Sequence, residues 1–398
     1  MPQQNRISGL GKALGPFMIM LLLYCVGASA DDPIFARFAA GFTSNAFLIG
    51  ILASTGWITW TLMSGPAGGV VDKVGVKKAM FIGGTLDAVG FALIFLSNSI
   101  SMLVAMMILN GIGSAFFWAA ARVHIANSSN GKTGRAFGLY SASWAIGWSF
   151  GPLMGGILAV AVGIRAPFLA AAVIIMTITL VIMNFVPDDG NKTRMRKAVM
   201  YELKGGFFKD GLSFLKSAPR GVKRLLFIEM LEYAALEMVM VFSPLYFMQL
   251  NNAEIGILFF IQAIIFAAGS VMWGTLADRM ITKHVFMVLG FAASGLVLFA
   301  FLNVSEFAIV AVLMGALGLA LASVEPISQA MLNDRIRPKE RGLANGFSAA
   351  AFGSGASAGP IIAGLAASYF GLAGIFIMAA ALCGVGGLTA LTLGSARK

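Results

Sequence analysis

Charge is what this sequence has least of. Asp, Glu, Lys and Arg make up 11% of its 398 residues, against about 25% in soluble globular domains, and so little charge excludes a normally hydrated surface. Histidine and cysteine are scarcer still, at two each. Neither an H-E-x-x-H pair nor a G-x-S-x-G elbow is present, so an intramembrane enzyme would lack its nucleophile–base or metal constellation. Cys25 and Cys383 both fall within apolar runs and read as small core residues, not as a disulfide framework. No metal site and no cofactor is expected.

What is abundant is apolar length. Hydrophobic residues form 59% of the chain, in runs of about 18–25 residues that each suffice to cross ~30 Å of hydrocarbon. Twelve spans are predicted, near 14–36, 46–66, 79–97, 102–121, 137–160, 166–186, 224–248, 255–276, 285–302, 307–327, 343–366 and 372–394. The expected fold class is an all-α membrane protein, because a helix satisfies its own backbone polar groups in lipid. The runs are too long and too uniformly apolar for barrel strands.

The net charge of +11 is a topology signal, not a nucleic-acid footprint. With both termini inside, every Lys and Arg falls on the cytoplasmic side except Arg37 and Arg165, which is the positive-inside bias. An integral, multi-pass protein of the cytoplasmic (inner) membrane is expected. The lipid bilayer is its partner, and nucleic acid is not. Arg6 and Lys12 ahead of PFMIMLLLYCVGASA imitate a secretory signal, but cleavage after Ala30 would leave eleven spans and destroy the duplication below. ANSSNGKTG at 126–134 imitates a phosphate loop, yet Ala126 stands at its first glycine and no strand precedes it.

Internal repeats set the domain organisation. Gly68-Gly-Val-Val-Asp72-Lys73 is echoed 206 positions later by Gly274-Thr-Leu-Ala-Asp278-Arg279, and Arg135 is echoed by Arg341 at the same offset. Gly151-Pro152 returns 208 positions on as Gly359-Pro360. Three anchors in one order at one offset imply two pseudo-symmetric six-helix halves: 1–186, a cytoplasmic linker 187–222, and 223–398. The linker is basic, opening at Pro187 and closing after Pro219. YELKGGFFKDGLSFLK within it reads equally as a surface-lying amphipathic helix and as a solvated tether.

On these residues the chain resembles the major facilitator superfamily, and the resemblance covers nearly all of it. The family's G-x-x-x-D-K/R-x-G-x-K/R-K/R loop is present as Gly68, Asp72, Lys73, Gly75, Lys77 and Lys78, with Val76 where a further basic residue often stands. The resemblance implies a charge clamp that holds the cytoplasmic side shut in the outward-open state, with the halves moving by alternating access about a central cavity. A second signature, G-x-x-x-G-P-x-x-G-G, is complete as Gly147, Gly151, Pro152, Gly155 and Gly156, and is characteristic of the drug/proton antiporter branch. Glycines at every fourth position also form a stripe that lets two helix backbones approach closely, and Pro152 favours a bend. In span 4 that branch has arginine four residues before Gly111. Met107 stands there, so its coupling arginine is not carried over.

Acids inside the spans are costly, at roughly 2.5–3.5 kcal/mol or more at the bilayer centre, and mark ion or substrate paths. Span 7, RLLFIEMLEYAALEMVMVF, carries three: Glu229, Glu232 and Glu237. At 100° per residue they fit an arc of about 140°, so one side of the span can be acidic. The resemblance implies that spans 1, 4, 7 and 10 line the cavity. Asp31 and Asp32 precede Pro33, either capping a helix segment there or binding a proton or cation. Glu325-Pro326 breaks span 10. Arg122 and His124 end span 4, and Arg122 and Glu325 fall at near-equivalent places from which they can pair. Asp87, in a span that the family keeps peripheral, reads as a structural hydrogen-bonding group.

Burial favours a neutral carboxyl and a bound cation favours a charged one, so acids of this kind let protons and a cationic cargo compete. The expectation is a secondary transporter, not an enzyme, that exports a lipophilic cation or amphiphile in exchange for protons or another coupling ion, acting as a monomer. An importer, or a carrier of lipid, sugar, organic anion or metal ion, is the alternative. A channel or non-transporting receptor stands further off.

Overall fold

The alternation of apolar runs with short Gly-, Pro- and Asn-containing breaks produces helices of membrane length. The structure, a computed structural model, describes residues 2–129, 133–186, 216–278, 282–336 and 341–394; the side chains of 2–13, 72–73, 133–135, 278 and 341–345 fall outside the description. The first seven helices are α1 (Pro2–Ala28), α2 (Phe35–Ala40), α3 (Ala46–Val74), α4 (Val76–Phe95), α5 (Ile100–Ser128), α6 (Thr133–Ala161) and α7 (Ala166–Ile182). Seven more follow: α8 (Arg220–Tyr246), α9 (Asn252–Asp278), α10 (Lys283–Ala300), α11 (Phe307–Leu321), α12 (Glu325–Arg335), α13 (Arg341–Phe370) and α14 (Ala373–Leu391). No strand occurs among the described residues. The proposed amphipathic helix of the linker lies outside them.

All twelve expected spans are helical. Nine helices among the described residues are long and apolar enough to cross a membrane, and Leu14–Ala28 and Ala166–Ile182 are shorter apolar helices. The twelfth, α8, has 27 residues, and every 18-residue window of it contains all three glutamates, which lowers its hydropathy. Local chemistry sets the ends. Ser99 caps α5 by accepting from the Met102 amide. Gly75 joins α3 to α4 as a single residue at φ 93°, a left-handed conformation that costs glycine nothing. Span 10 is broken after Leu321, because Pro326 has no N–H to continue the ladder, and α12 restarts with Glu325 in its first turn.

The chain divides into two compact units: Met1–Asp31 with Thr59–Phe208, and Asp32–Ile58 with Lys209–Lys398. The division differs from the expected 1–186 half in one segment, 32–58, and the contacts of that segment explain why. A Cβ at Gly50 would run into the Pro360 carbonyl, and Gly364 lies as close against the Ala46 carbonyl. Arg37 donates to the carbonyls of Pro244 (2.8 Å), Phe247 (2.9 Å) and Leu250 (2.9 Å), and to Asn252 Oδ1 (2.7 Å). These carbonyls terminate α8, so the guanidinium caps a helix C-terminus, where a cation is favoured.

In the first unit α1 packs on α6 and α7, and α4 packs on α5 and α7. Its own outer arginine, Arg165, donates to the Phe95 (2.7 Å) and Ser97 (2.9 Å) carbonyls at the end of α4. In the second unit α8 packs on α13 and α14, α10 on α14, and α9 on α11. The duplication read from sequence recurs at atomic detail inside each unit. A Cβ on Gly147 would strike the Leu22 carbonyl and one on Gly151 the Val26 carbonyl; on Gly355 and Gly359 it would strike those of Met230 and Ala234. Each residue of the second set follows its counterpart by 208. Likewise Gly83 abuts the Gly113 carbonyl, and Gly290 the Ala320 carbonyl, both offset by 207. Backbone contact through glycine thus fixes the same helix register twice.

Candidate functional site

The acids expected on one side of span 7 divide into two groups. Glu229 and Glu232 are 1% and 0% exposed, turned inward among α12, α13 and α14. Glu229 accepts from the hydroxyls of Ser328 (2.7 Å) and Ser348 and from Gln329 Nε2 (3.4 Å), and Gln329 also donates to Ser348 Oγ. Both oxygens of Glu232 are buried without a hydrogen-bond partner. The Glu325 main chain and the carboxylates of Glu325 and Glu229 lie within its field, and so does the thiol of Cys383. Glu325, half-buried, accepts from the Tyr233 hydroxyl at 2.7 Å.

Four helices supply this cluster, and the sequence dictates each contribution. α8 presents Glu229 and Glu232 about 60° apart, one turn from each other. The Glu325-Pro326 break points the first turn of α12 at them, and the exposed amides of a helix N-terminus favour negative charge. Ser328 and Gln329 follow on that first turn and α13 adds Ser348. Among the described residues no Lys, Arg or His is among the groups acting on these three acids. Three carboxylates so placed are tolerated only if protons or an incoming cation neutralise part of their charge. Among the described residues no three His, Cys, Asp or Glu side chains converge closely enough to hold a metal ion.

Glu237 is different. It is half-buried, on a stripe of α8 shared with the equally accessible Met230 and Val241, and about 140° around the helix from Glu232. Among the described residues it has no hydrogen bond or ion pair, and none of the other acids acts on it. A carboxylate inside a membrane span is favoured facing water or a partner over facing lipid, and among the described residues Glu237 has no such partner.

In the first unit Asp87 is buried and accepts from the Tyr24 hydroxyl and Asn110 Nδ2, as a structural acid does, and Asp31 lies within its field. Asp31 and Asp32 are half-buried. After Pro33, α2 starts at Phe35 with Ile34 at its N-cap and no side-chain cap there. His124 is 4% exposed with its ring 4.5 Å from that of Phe17. Arg122 is within hydrogen-bonding reach of Tyr140.

The near-equivalence of Arg122 and Glu325 needs correction by one helical turn. With the 207 offset fixed by the glycine contacts, Arg122 corresponds to Gln329 and Trp118 to Glu325. The contacts agree, since Arg122 reaches Tyr140 as Gln329 reaches Ser348, and those partners are 208 apart. Arg122 and Glu325 therefore have separate partners, Tyr140 and Tyr233, each in its own unit.

The glycine motif packs against neighbouring backbone. Gly147 and Gly151 sit directly on α1, Gly155 abuts the Ala30 carbonyl, and Pro152 and Gly156 are buried beside them. Gly359 repeats this against α8, with Pro360 buried next to it. In the loop motif Gly68 has open space around it and Gly274 only the ordinary contact of Pro326; Lys77 is half-buried and Lys78 exposed. The side chains of Asp72, Lys73, Arg135, Asp278 and Arg341, and all of Arg279, are outside the described residues, so the expected clamp is too. Sequence reasoning missed Tyr233, Ser328, Gln329 and Ser348. Polar residues that are neither charged nor in a motif gave no signal until the helices were packed.

A duplicated bundle of membrane helices with acids buried between them is an arrangement found in membrane transporters. The Major Facilitator Superfamily model matches residues 13–217 and 225–397, and the chain belongs to that family, as a multi-pass integral membrane transporter. It is 26% identical over 373 residues to the multidrug efflux protein YfmO of Bacillus subtilis (strain 168), covering 92% of this chain and 90% of the relative. It is 27% identical over 168 residues to the multi-drug resistance efflux pump PmrA of Streptococcus pneumoniae serotype 4, covering 42% of each. Among solved structures the nucleoside transporter NupG matches with a TM-score of 0.77 at 14% identity, over 96% of this chain and 99% of that one. At that identity the likeness shows the fold alone.

Proposed function

We propose that this transporter exports a lipophilic cation or weakly basic amphiphile across the cytoplasmic membrane, both termini inside, in exchange for protons, by alternating access. The observation that carries the reading is the cluster of Glu229, Glu232 and Glu325 inside a membrane bundle, with no basic side chain among the described residues acting on it. Such a cluster is neutralised by protons or by a cation, and exchange of one for the other is antiport. The residues assigned to protons and cargo are Asp31, Asp32, Arg122, His124, Glu229, Glu232, Glu237 and Glu325. The loop and glycine motifs provide gating and close packing.

The likeness to YfmO and PmrA, multidrug efflux proteins, supports the direction and the cargo class. The test is flux in proteoliposomes of purified protein. An imposed pH gradient drives a lipophilic cation such as tetraphenylphosphonium against its gradient, and adding the cation moves protons the opposite way. Movement of proton and cation in the same direction would establish cotransport and end the reading.

A further inference from the structure

The two groups of acids on α8 differ in what can reach them. Glu232 is fully buried, with neither oxygen hydrogen-bonded among the described residues, and it lies on α8, against which α12 and α13 pack. Glu237 is accessible on an otherwise apolar stripe and free of polar partners among the described residues. We propose that α8 carries two separate stations: Glu237 reads the positive charge of the cargo, while Glu232, behind the half-buried Glu325, holds the coupling proton out of the cargo's reach. The inference rests on the exchange reading above and narrows it, because protons and cargo then meet directly only at Glu237.

The surroundings fit each task. Around Glu232 the titratable groups are Glu229 and Tyr233 on its own helix, Glu325 on α12 and Cys383 on α14, while α13 contributes Ser348 through Glu229. Arg37, carried by α2, is committed to the carbonyls at the far end of α8. The station thus has acids and hydroxyls to pass a proton, through Glu325 and its Tyr233 hydroxyl, and no cation to replace it. Glu237 sits with Met230 and Val241, a carboxylate beside adaptable apolar surface, as recognition of a lipophilic cation requires. Desolvation alone is the influence on it, with none of the three clustered acids acting, so a cation bound there does not touch the carboxyl of Glu232.

Tetraphenylphosphonium binding to the purified full chain, measured across pH, tests the division alongside pH-gradient-driven flux in proteoliposomes. In the unsubstituted protein, affinity rises with pH as the Glu237 carboxyl loses its proton. Glu237→Gln is expected to weaken binding by at least about ten-fold at alkaline pH and to flatten this dependence. Glu232→Gln is expected to keep the affinity within about two-fold, below the roughly ten-fold that marks a lost charged contact, yet to lose gradient-driven flux. If Glu232→Gln unfolds in a thermal assay, Glu232→Asp serves instead, with the same retained binding and a displaced pH profile of flux. Equal loss of affinity at Glu232 and Glu237, or unchanged affinity in Glu237→Gln, overturns the division and leaves the exchange reading standing. An unsubstituted protein that neither binds the probe nor moves it on a pH gradient overturns both.

Discussion

Tyr24, Trp118, Arg122 and Tyr140 in the first unit correspond, position for position, to Glu232, Glu325, Gln329 and Ser348 in the second. The helix contacts that hold the two sets are the same, down to which glycine touches which carbonyl, but the chemistry is opposite. In the first unit the place is filled: Tyr24 lies stacked on Phe117, Trp118 meets Tyr24 edge-on at 5.8 Å and Tyr140 at 6.1 Å, and Tyr24 satisfies Asp87. In the second it holds carboxylates with too few donors. Backbone register and side-chain chemistry have diverged independently. Close packing through glycine constrains only the main chain, so at the matching place one copy holds stacked aromatic rings while the other holds carboxylates.

The largest expected effect separates the copies. Glu325→Gln lowers pH-driven flux by at least about 100-fold, equivalent to about 2.7 kcal/mol, whereas Trp118→Phe at the matching place keeps flux within about five-fold, or ~1 kcal/mol. Comparable losses in both would show that the Trp118 place matters to flux as much as the Glu325 place, and would break the comparison. Next come the outer arginines, where the copies should behave alike. Arg37→Ala and Arg165→Ala each remove charge-assisted hydrogen bonds to helix-ending carbonyls and lower stability by about 1.5–3 kcal/mol, read from thermal unfolding in detergent.

Gly151→Val and Gly359→Val press on equivalent carbonyls and cost about 1–3 kcal/mol each by overpacking. Gly138→Val, where a Cβ meets nothing within 4 Å, stays within about 0.5 kcal/mol. A large difference between the two packed glycines would break the structural half of the comparison. The smallest effect is expected for Tyr233→Phe, which deletes one neutral donor to Glu325, worth about 1 kcal/mol. Flux falls several-fold while the unfolding temperature holds.

Much of the architecture was legible because it is written in long-range regularities. Twelve apolar runs appeared as helices, and the 206–208 offset reappeared as paired glycine–carbonyl contacts. The candidate site was legible only by residue type. An acid in a membrane span stands out, so Glu229, Glu232, Glu237 and Glu325 were all found. Helical arithmetic placed three of them in one arc, although packing buries two and leaves the third accessible. The register of Arg122 against Glu325 was off by a turn, because a motif offset does not record how the Pro326 break is absorbed. Residues 32–58 joined the second unit for contacts that no local pattern announces.

By itself the sequence determined the membrane environment, the number of apolar spans, the duplication and the presence of acids within the spans. Each of these depends on composition or spacing along one chain, which burial in lipid and helix periodicity convert directly into structure. Only the tertiary structure decided which acids meet and which stand alone, and that Ser328, Gln329 and Ser348 serve Glu229. Hydrogen bonding and mutual charge are felt over a few ångströms between helices that lie a hundred residues apart in sequence, and that proximity exists only once the bundle is packed.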